Sequence, residues 1–134
     1  FCVAVPQNHK FNQYKKITWQ DIRGERIVTL RGSFINLLVD ALPQEISRYL
    51  QQAENKVSFM TTAFSMVKNN FGITFCMPYA KEWATLNGLN IYPLEEPLIE
   101  RDFYLYTQKD RVFTPATEKF VNFSLENIHT ILAS

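Results

Sequence analysis

Two places in the chain set polar groups where a small anion could be held. One is Arg31-Gly32-Ser33-Phe34, which follows the β-branched run Arg26 to Leu30; the other is Thr61-Thr62, which follows the apolar run Val57 to Met60. In each, a stretch that reads as a strand gives way to a helical pattern, so the hydroxyls fall at a helix start. A first helical turn has backbone N–H groups without intrahelical partners and the positive end of the helix dipole, and open α/β sheets bind ligands at such starts, outside the carboxyl ends of their strands. Gly32 would let the backbone approach a ligand, Ser33, Thr61 and Thr62 would offer hydroxyls, and Phe34 would wall the pocket. A carboxylate or similar anion lying across both starts is the chemistry this pattern serves, with Arg31 and Arg101 as possible anion contacts. The plainer alternatives are helix capping for the hydroxyls and surface pairing with a nearby Glu for the arginines.

Residues for other chemistries are scattered. His9 and His129 lie at opposite ends, Cys2 and Cys76 lack metal-ligand spacing, and there is no Gly-x-Ser-x-Gly, phosphate-binding Gly-rich loop, Cys-x-x-Cys or His-Glu-x-x-His. No catalytic residue, metal site or cofactor is assigned. Glu95, Glu96 and Glu100 read as a solvated link, and His9 as a solvated or capping loop residue. Fourteen Lys+Arg against 13 Asp+Glu leave a formal charge of +1, which provides no electrostatic footprint for nucleic acid. The 11 Phe lie at core-like spacing and do not form a stacking platform with basic flanks. No run approaches the roughly 20 apolar residues that span a bilayer, so no membrane partner is expected. Both cysteines sit in apolar, strand-like runs as reduced buried thiols, which fits a cytoplasmic protein. At 134 residues and 46% hydrophobic, the chain has an ordinary globular composition; the missing initiator Met points to a segment of something longer.

The elements that must position these groups alternate. Phe1 to Val5 reads as a strand closed by Pro6, Thr18 to Ile22 as a single helical turn stopped by Gly24, and Arg26 to Leu30 as a strand. Ile35, Leu38, Val39, Leu42, Ile46, Tyr49 and Leu50 make one apolar stripe from Ser33 to about Gln52, where Pro43 predicts a kink or a break that leaves the register intact. Val57 to Pro78 reads as a βαβ unit. Its helix begins at Thr61-Thr62 and carries Met60, Ala63, Phe64, Val67 and Phe71 on one face, Gly72 is its left-handed cap, and Ile73 to Met77 is its second strand. Tyr79 to Leu86 comes next as a short helix ended by Gly88, then strands at Leu89 to Leu94 and Phe103 to Thr107. Thr114-Pro115 opens a final helix that carries Phe120, Val121, Phe123, Leu125, Ile128, Ile131 and Leu132 and should pack on the sheet. The fold class is α/β, with a mixed, mainly parallel sheet flanked by helices.

Two blocks together resemble the regulatory domain of LysR-type transcriptional regulators. The first is Thr61 or Thr62, Met66-Val67, Phe71-Gly72-Ile73 and Met77-Pro78; the second is Gly88-Leu89, Pro93-Leu94, Pro97, Arg101, Phe113-Thr114-Pro115 and Phe120. His9 also matches a His-Pro loop of that family, with Lys10 in place of the Pro. The resemblance implies a fold like type 2 periplasmic binding proteins, two α/β lobes with a small molecule between them. Residues 1–87 would be the second lobe, and residues 88–134 a crossover strand and the returning C-terminal part of the first. It further implies a small-molecule effector, an anion being the kind that the helix starts suit, bound at Gly32, Ser33, Phe34, Thr61 and Thr62. A homodimer or higher homo-oligomer would contact DNA only through a winged helix-turn-helix domain that this sequence lacks. The final helix would then expose apolar surface able to drive association. The alternatives are a stand-alone solute-binding protein of the same fold, which an export signal would favour, and a small α/β enzyme, which paired titratable groups in a pocket would favour.

Overall fold

Strand β1 (Cys2–Pro6), buried along its whole length, is the one the others are laid against. It pairs antiparallel with β5 (Thr74–Cys76) on one side, Val3 opposite Phe75, and with β6 (Leu89–Glu95) on the other, Val3 opposite Tyr92. The two-residue β2 (Ile17–Thr18) adds in parallel outside β6. Beyond β5, a parallel bridge between Ile27 and Ile73 leads to β3 (Val28–Leu30), which pairs in parallel with β4 (Asn55–Val57). In this computed structural model, which describes residues 1–133, every described strand except β1 therefore points the same way. The sheet is mixed and mainly parallel, as its short, nearly all-apolar strands suggest.

Because side chains alternate along a strand, the sheet has two apolar faces and each is covered. Val3, Val5, Ile73 and Phe75 meet Trp19, Leu38, Leu42, Ile46 and Leu50 on one side, while Cys2, Ala4, Val28 and Cys76 meet Ala63, Phe64, Val67, Ala80 and Ala84 on the other. Helices α1 (Ser33–Ala41) and α2 (Gln44–Gln51) cover the first face, and α3 (Met60–Lys68) and α4 (Lys81–Leu86) the second. The stripe of Leu38, Leu42, Ile46 and Leu50 stays buried across Pro43, which breaks the helix and stands in the cap position of α2. The buried Ser47 hydroxyl ties the halves together, lying 2.7 Å from the Val39 carbonyl oxygen and 3.1 Å from that of Leu42.

Several local expectations need correcting. β4 ends at Val57, and α3 begins at Met60 with Phe59 in the cap position, one residue before the threonines. β3 lies between β4 and β5, so the two strands of the βαβ unit are not neighbours. Gly72 is not the left-handed cap of α3. Asn70 takes that conformation (φ 61°), and Phe71 N–H donates to Met66 O while Asn70 N–H donates to Val67 O, a Schellman closure that carries Phe71 out to solvent. Gly72 instead lets β5 come against β3: a Cβ there would overlap the Arg26 carbonyl, to which Ile73 N–H donates at 2.8 Å. Thr18 to Ile22 is not a helical turn but the end of β2 and tight turns, with the Asp21 carboxylate accepting from Thr18 N–H and hydroxyl at 2.7 Å each.

Phe103 to Thr107 forms no strand, since no described strand lies beside it to supply a ladder, and Tyr104 and Tyr106 are exposed. The final helix α5 (Pro115–Ala133) starts as expected, with the Thr114 hydroxyl accepting from Thr117 N–H at 3.2 Å. It does not pack on the sheet. Its nearest element is the 3-10 turn Pro78–Ala80, and Phe120, Phe123 and Leu125 are exposed. Ile131 and Leu132, placed on the same stripe, lie outside the residues whose side chains are described.

Candidate functional site

The parallel strands all end at one edge of the sheet, and the segments that leave those ends make a rim. Arg31 to Phe34 leaves β3, Ser58 to Thr62 leaves β4, Met77 to Tyr79 leaves β5, and Glu96 to Ile99 leaves β6. β1 runs the other way, so its Phe1 arrives at this rim, and the Phe1 ring packs edge-on against Phe34 at 5.2 Å between centroids.

Within the rim, β3 and β4 put the two helix starts side by side. Leu30 is opposite Val57, and the Arg31 N–H donates to the Val57 carbonyl at 2.9 Å, so both chains leave the ladder together. Gly32 is the cap residue of α1, with φ 88° and ψ −151°, a backbone conformation essentially reserved for glycine. Neither α1 nor α3 has a side-chain cap, so Ser33, Thr61 and Thr62 do not serve as the N-caps that the plainer alternative made them. All three side chains are exposed, inside the first turns, and Phe34 is half-buried. The N–H groups of those turns carry partial positive charge, and among the described residues no side chain caps either start.

Ser33 lines a wide hollow of about 630 Å³ with Leu37, Asp40, Ile99 and Glu100. Ile99 and Glu100 also line a neighbouring hollow of about 410 Å³, together with Phe1, Met77, Tyr79, Arg101 and Phe103. Ile99 and Glu100 are thus a wall shared by both, held by the Trp19 indole N–H donating to Pro97 O at 3.0 Å and by the Phe1 backbone nitrogen donating to Ile99 O at 2.9 Å. Arg101 stacks over Phe103 with 5.9 Å from its guanidinium carbon to the ring centroid. Among the described residues Arg31 pairs with no Glu; its Nε donates to the Lys56 carbonyl at 3.3 Å, on the side of the sheet that α1 and α2 cover. Thr61 and Thr62 stand at the next strand end and line neither of the two hollows.

Sequence reasoning passes over Met77, Tyr79 and Phe1. The signal for the first two is present: a strand ending in Met77-Pro78 before a helical pattern is the same punctuation that singles out Arg31 to Phe34. Among the described residues no group of three or more His, Cys, Asp or Glu is placed to hold a metal ion, and no helix is long and apolar enough to cross a membrane. His9 is a cap: its Nδ1 accepts from Phe11 N–H at 3.2 Å, which leaves Nε2 to donate to Glu25 at 3.2 Å.

An open, mainly parallel sheet with helices on both faces is the architecture of the α/β class whose members bind ligands at their strand ends. The chain belongs to the LysR substrate binding domain family, whose model matches residues 1–128. It is 25% identical over 122 residues to the uncharacterized HTH-type transcriptional regulator YbhD of Escherichia coli, covering 90% of this chain but 38% of that protein. The chain thus spans well under half the length of that relative. Among solved structures it is similar in fold to the effector binding domain of QuiR in complex with shikimate, at TM-score 0.67 and 23% identity over 93% of this chain and 59% of that one.

Proposed function

We propose that this chain is the effector-sensing region of a LysR-type transcriptional regulator and holds a small carboxylate against the rim of Gly32, Ser33, Phe34, Thr61 and Thr62. The observation that carries the reading is the β3–β4 pairing, which sets two uncapped helix starts next to each other at the strand ends. Each such start carries partial positive charge, and backbone N–H groups at helix starts hold anions. Arg101, at the neighbouring hollow, and Arg31, at the flank of the rim, are the cations that would draw an anion toward it.

Residues 1–87 act as the second lobe of the effector domain, and residues 88–134 cross back to the first. The whole protein works in the cytoplasm as a homodimer or higher homo-oligomer, and meets DNA through a winged helix-turn-helix domain outside this chain. An effector changes DNA binding only if it favours one lobe arrangement over another. The transcriptional-regulator relative favours this over a stand-alone solute-binding protein, and sensing requires no catalysis.

The test is calorimetry with shikimate, which QuiR's domain holds, followed by a panel of small carboxylates on the complete effector domain. A ligand found in this way should bind Ser33→Ala/Thr62→Ala at least about tenfold more weakly, the loss of one or two charge-assisted hydrogen bonds. Unchanged affinity in the double variant refutes the site.

A further inference from the structure

Behind the rim, between α1, α2 and the β3–β4 pair, lies a separate hollow of about 190 Å³. Its wall is apolar at Ile35, Val39 and Leu50, and Arg31 and Lys56 stand at its edge. No Asp or Glu lines it, and among the described residues neither cation forms an ion pair. Each is instead turned to a backbone oxygen: Arg31 Nε to Lys56 O at 3.3 Å, and Lys56 Nζ to Gln51 O at 2.8 Å. That leaves the terminal nitrogens of the guanidinium and two ammonium protons free to donate.

Thr29, on the strand beneath, also lines the hollow. It is only 2% exposed, and its hydroxyl has a single contact, to Leu30 O at 3.5 Å, the outer limit of a hydrogen bond. A buried hydroxyl held so loosely is a donor in want of an acceptor. Two unpaired cations at the mouth, aliphatic walls and a hydroxyl on the strand below match a molecule with a carboxylate, a short carbon chain and a terminal oxygen. The volume is smaller than the roughly 300 Å³ at which pockets for drug-sized ligands begin, which limits the chain to a few carbons.

We infer that this hollow is a second ligand site, distinct from the strand-end rim, for a short aliphatic monocarboxylate with a hydroxyl or keto oxygen at its far end. It lies beside α1 at Ile35, Asn36 and Val39, with Asn36 between it and the Ser33 hollow, and binding there would press on α1, the helix whose start forms the rim.

The experiment is an amide NMR titration of the complete effector domain with butyrate, 4-hydroxybutyrate and, as the cationic control, butylammonium, at constant ionic strength. Both acids should give saturable shifts centred on Thr29, Leu50 and Lys56, the hydroxy acid binding more tightly, and butylammonium should give none. Lys56→Gln, at an exposed position, should weaken both acids roughly tenfold, the loss of one charge-assisted contact. Thr29→Val should erase the preference for the hydroxy acid and leave butyrate unchanged. Ser33→Ala, in the rim, should have no effect on either. Shifts that do not saturate, that butylammonium reproduces, or that survive Lys56→Gln overturn the inference. Saturable shifts centred on Gly32, Ser33 and Thr62 would also overturn it while supporting the rim, so failure of one site is distinguishable from failure of the other.

Discussion

Arg31 donates its backbone N–H to the carbonyl of Val57 at 2.9 Å, one residue past the last β3 pair, and that bond is what places the two helix starts on one rim. Everything proposed for the strand-end site depends on the chain turning immediately afterwards, at Gly32. With φ 88° and ψ −151°, Gly32→Ala should cost about 1–3 kcal/mol through backbone strain alone, since a Cβ there meets nothing within 4 Å. Urea unfolding monitored by circular dichroism measures it. Gly72→Ala should cost more, because its Cβ would displace the Arg26 carbonyl that ties β3 to β5.

Thr74 has the reverse defect. It is fully buried on β5, and its hydroxyl has no hydrogen-bond partner among the described residues. Thr74→Val keeps the β-branched shape and removes the stranded polar group, so stability should rise by on the order of 1 kcal/mol. A lower urea midpoint in the variant would contradict this.

Ser47 joins α1 to α2 across the proline break. Ser47→Ala removes the donor for two carbonyls at the end of α1, one of them at 2.7 Å, and should destabilise the chain by about 1–2 kcal/mol. Amide hydrogen exchange should quicken in α1 and α2 ahead of α3, which distinguishes a local loosening from a global one.

Cys2 and Cys76 face each other across β1 and β5, both buried and both free. Burial raises both thiols above their ordinary range, Cys76 more strongly. In the unfolded chain a thiol ionises near pH 8.5, whereas the folded chain keeps the proton to higher pH. Stability is therefore undiminished below about pH 8.5 and falls as pH rises toward the folded value, by up to about 1.4 kcal/mol per pH unit for each thiol that only the unfolded state has ionised. Urea midpoints compared between pH 7.5 and 10 should show the decline, and Cys76→Ala should remove its share.

The sequence discloses those parts of the fold that depend on neighbours close in the chain. The stripe through Leu38, Leu42, Ile46 and Leu50, the stop at Gly88 and the start at Thr114-Pro115 are set within a few residues, and each is legible there. Features that depend on distant partners are not. β2 is two residues long and exists because β6 offers it a neighbour, while Phe103 to Thr107 has strand-like composition and no described strand beside it. Gly72 resembles a cap because glycines usually cap, yet Asn70 can adopt the same φ, which frees Gly72 for a close approach that local sequence cannot reveal. The same division holds for the candidate site. Gly32 to Phe34 and Thr61-Thr62 are visible as strand-to-helix junctions; that Phe1 joins them from the other end of a reversed strand requires the sheet order.

The reversed strand also has a mechanical meaning. β1 and β6 are matched over five consecutive residues, from Cys2 opposite Pro93 to Pro6 opposite Leu89. Sliding one past the other would break all those rungs together, whereas twisting the pair as a unit strains each only slightly. Whatever is attached beyond Phe1 and beyond Glu95 is therefore geared to a common axle: it can swing, but it cannot shift lengthwise on one side alone.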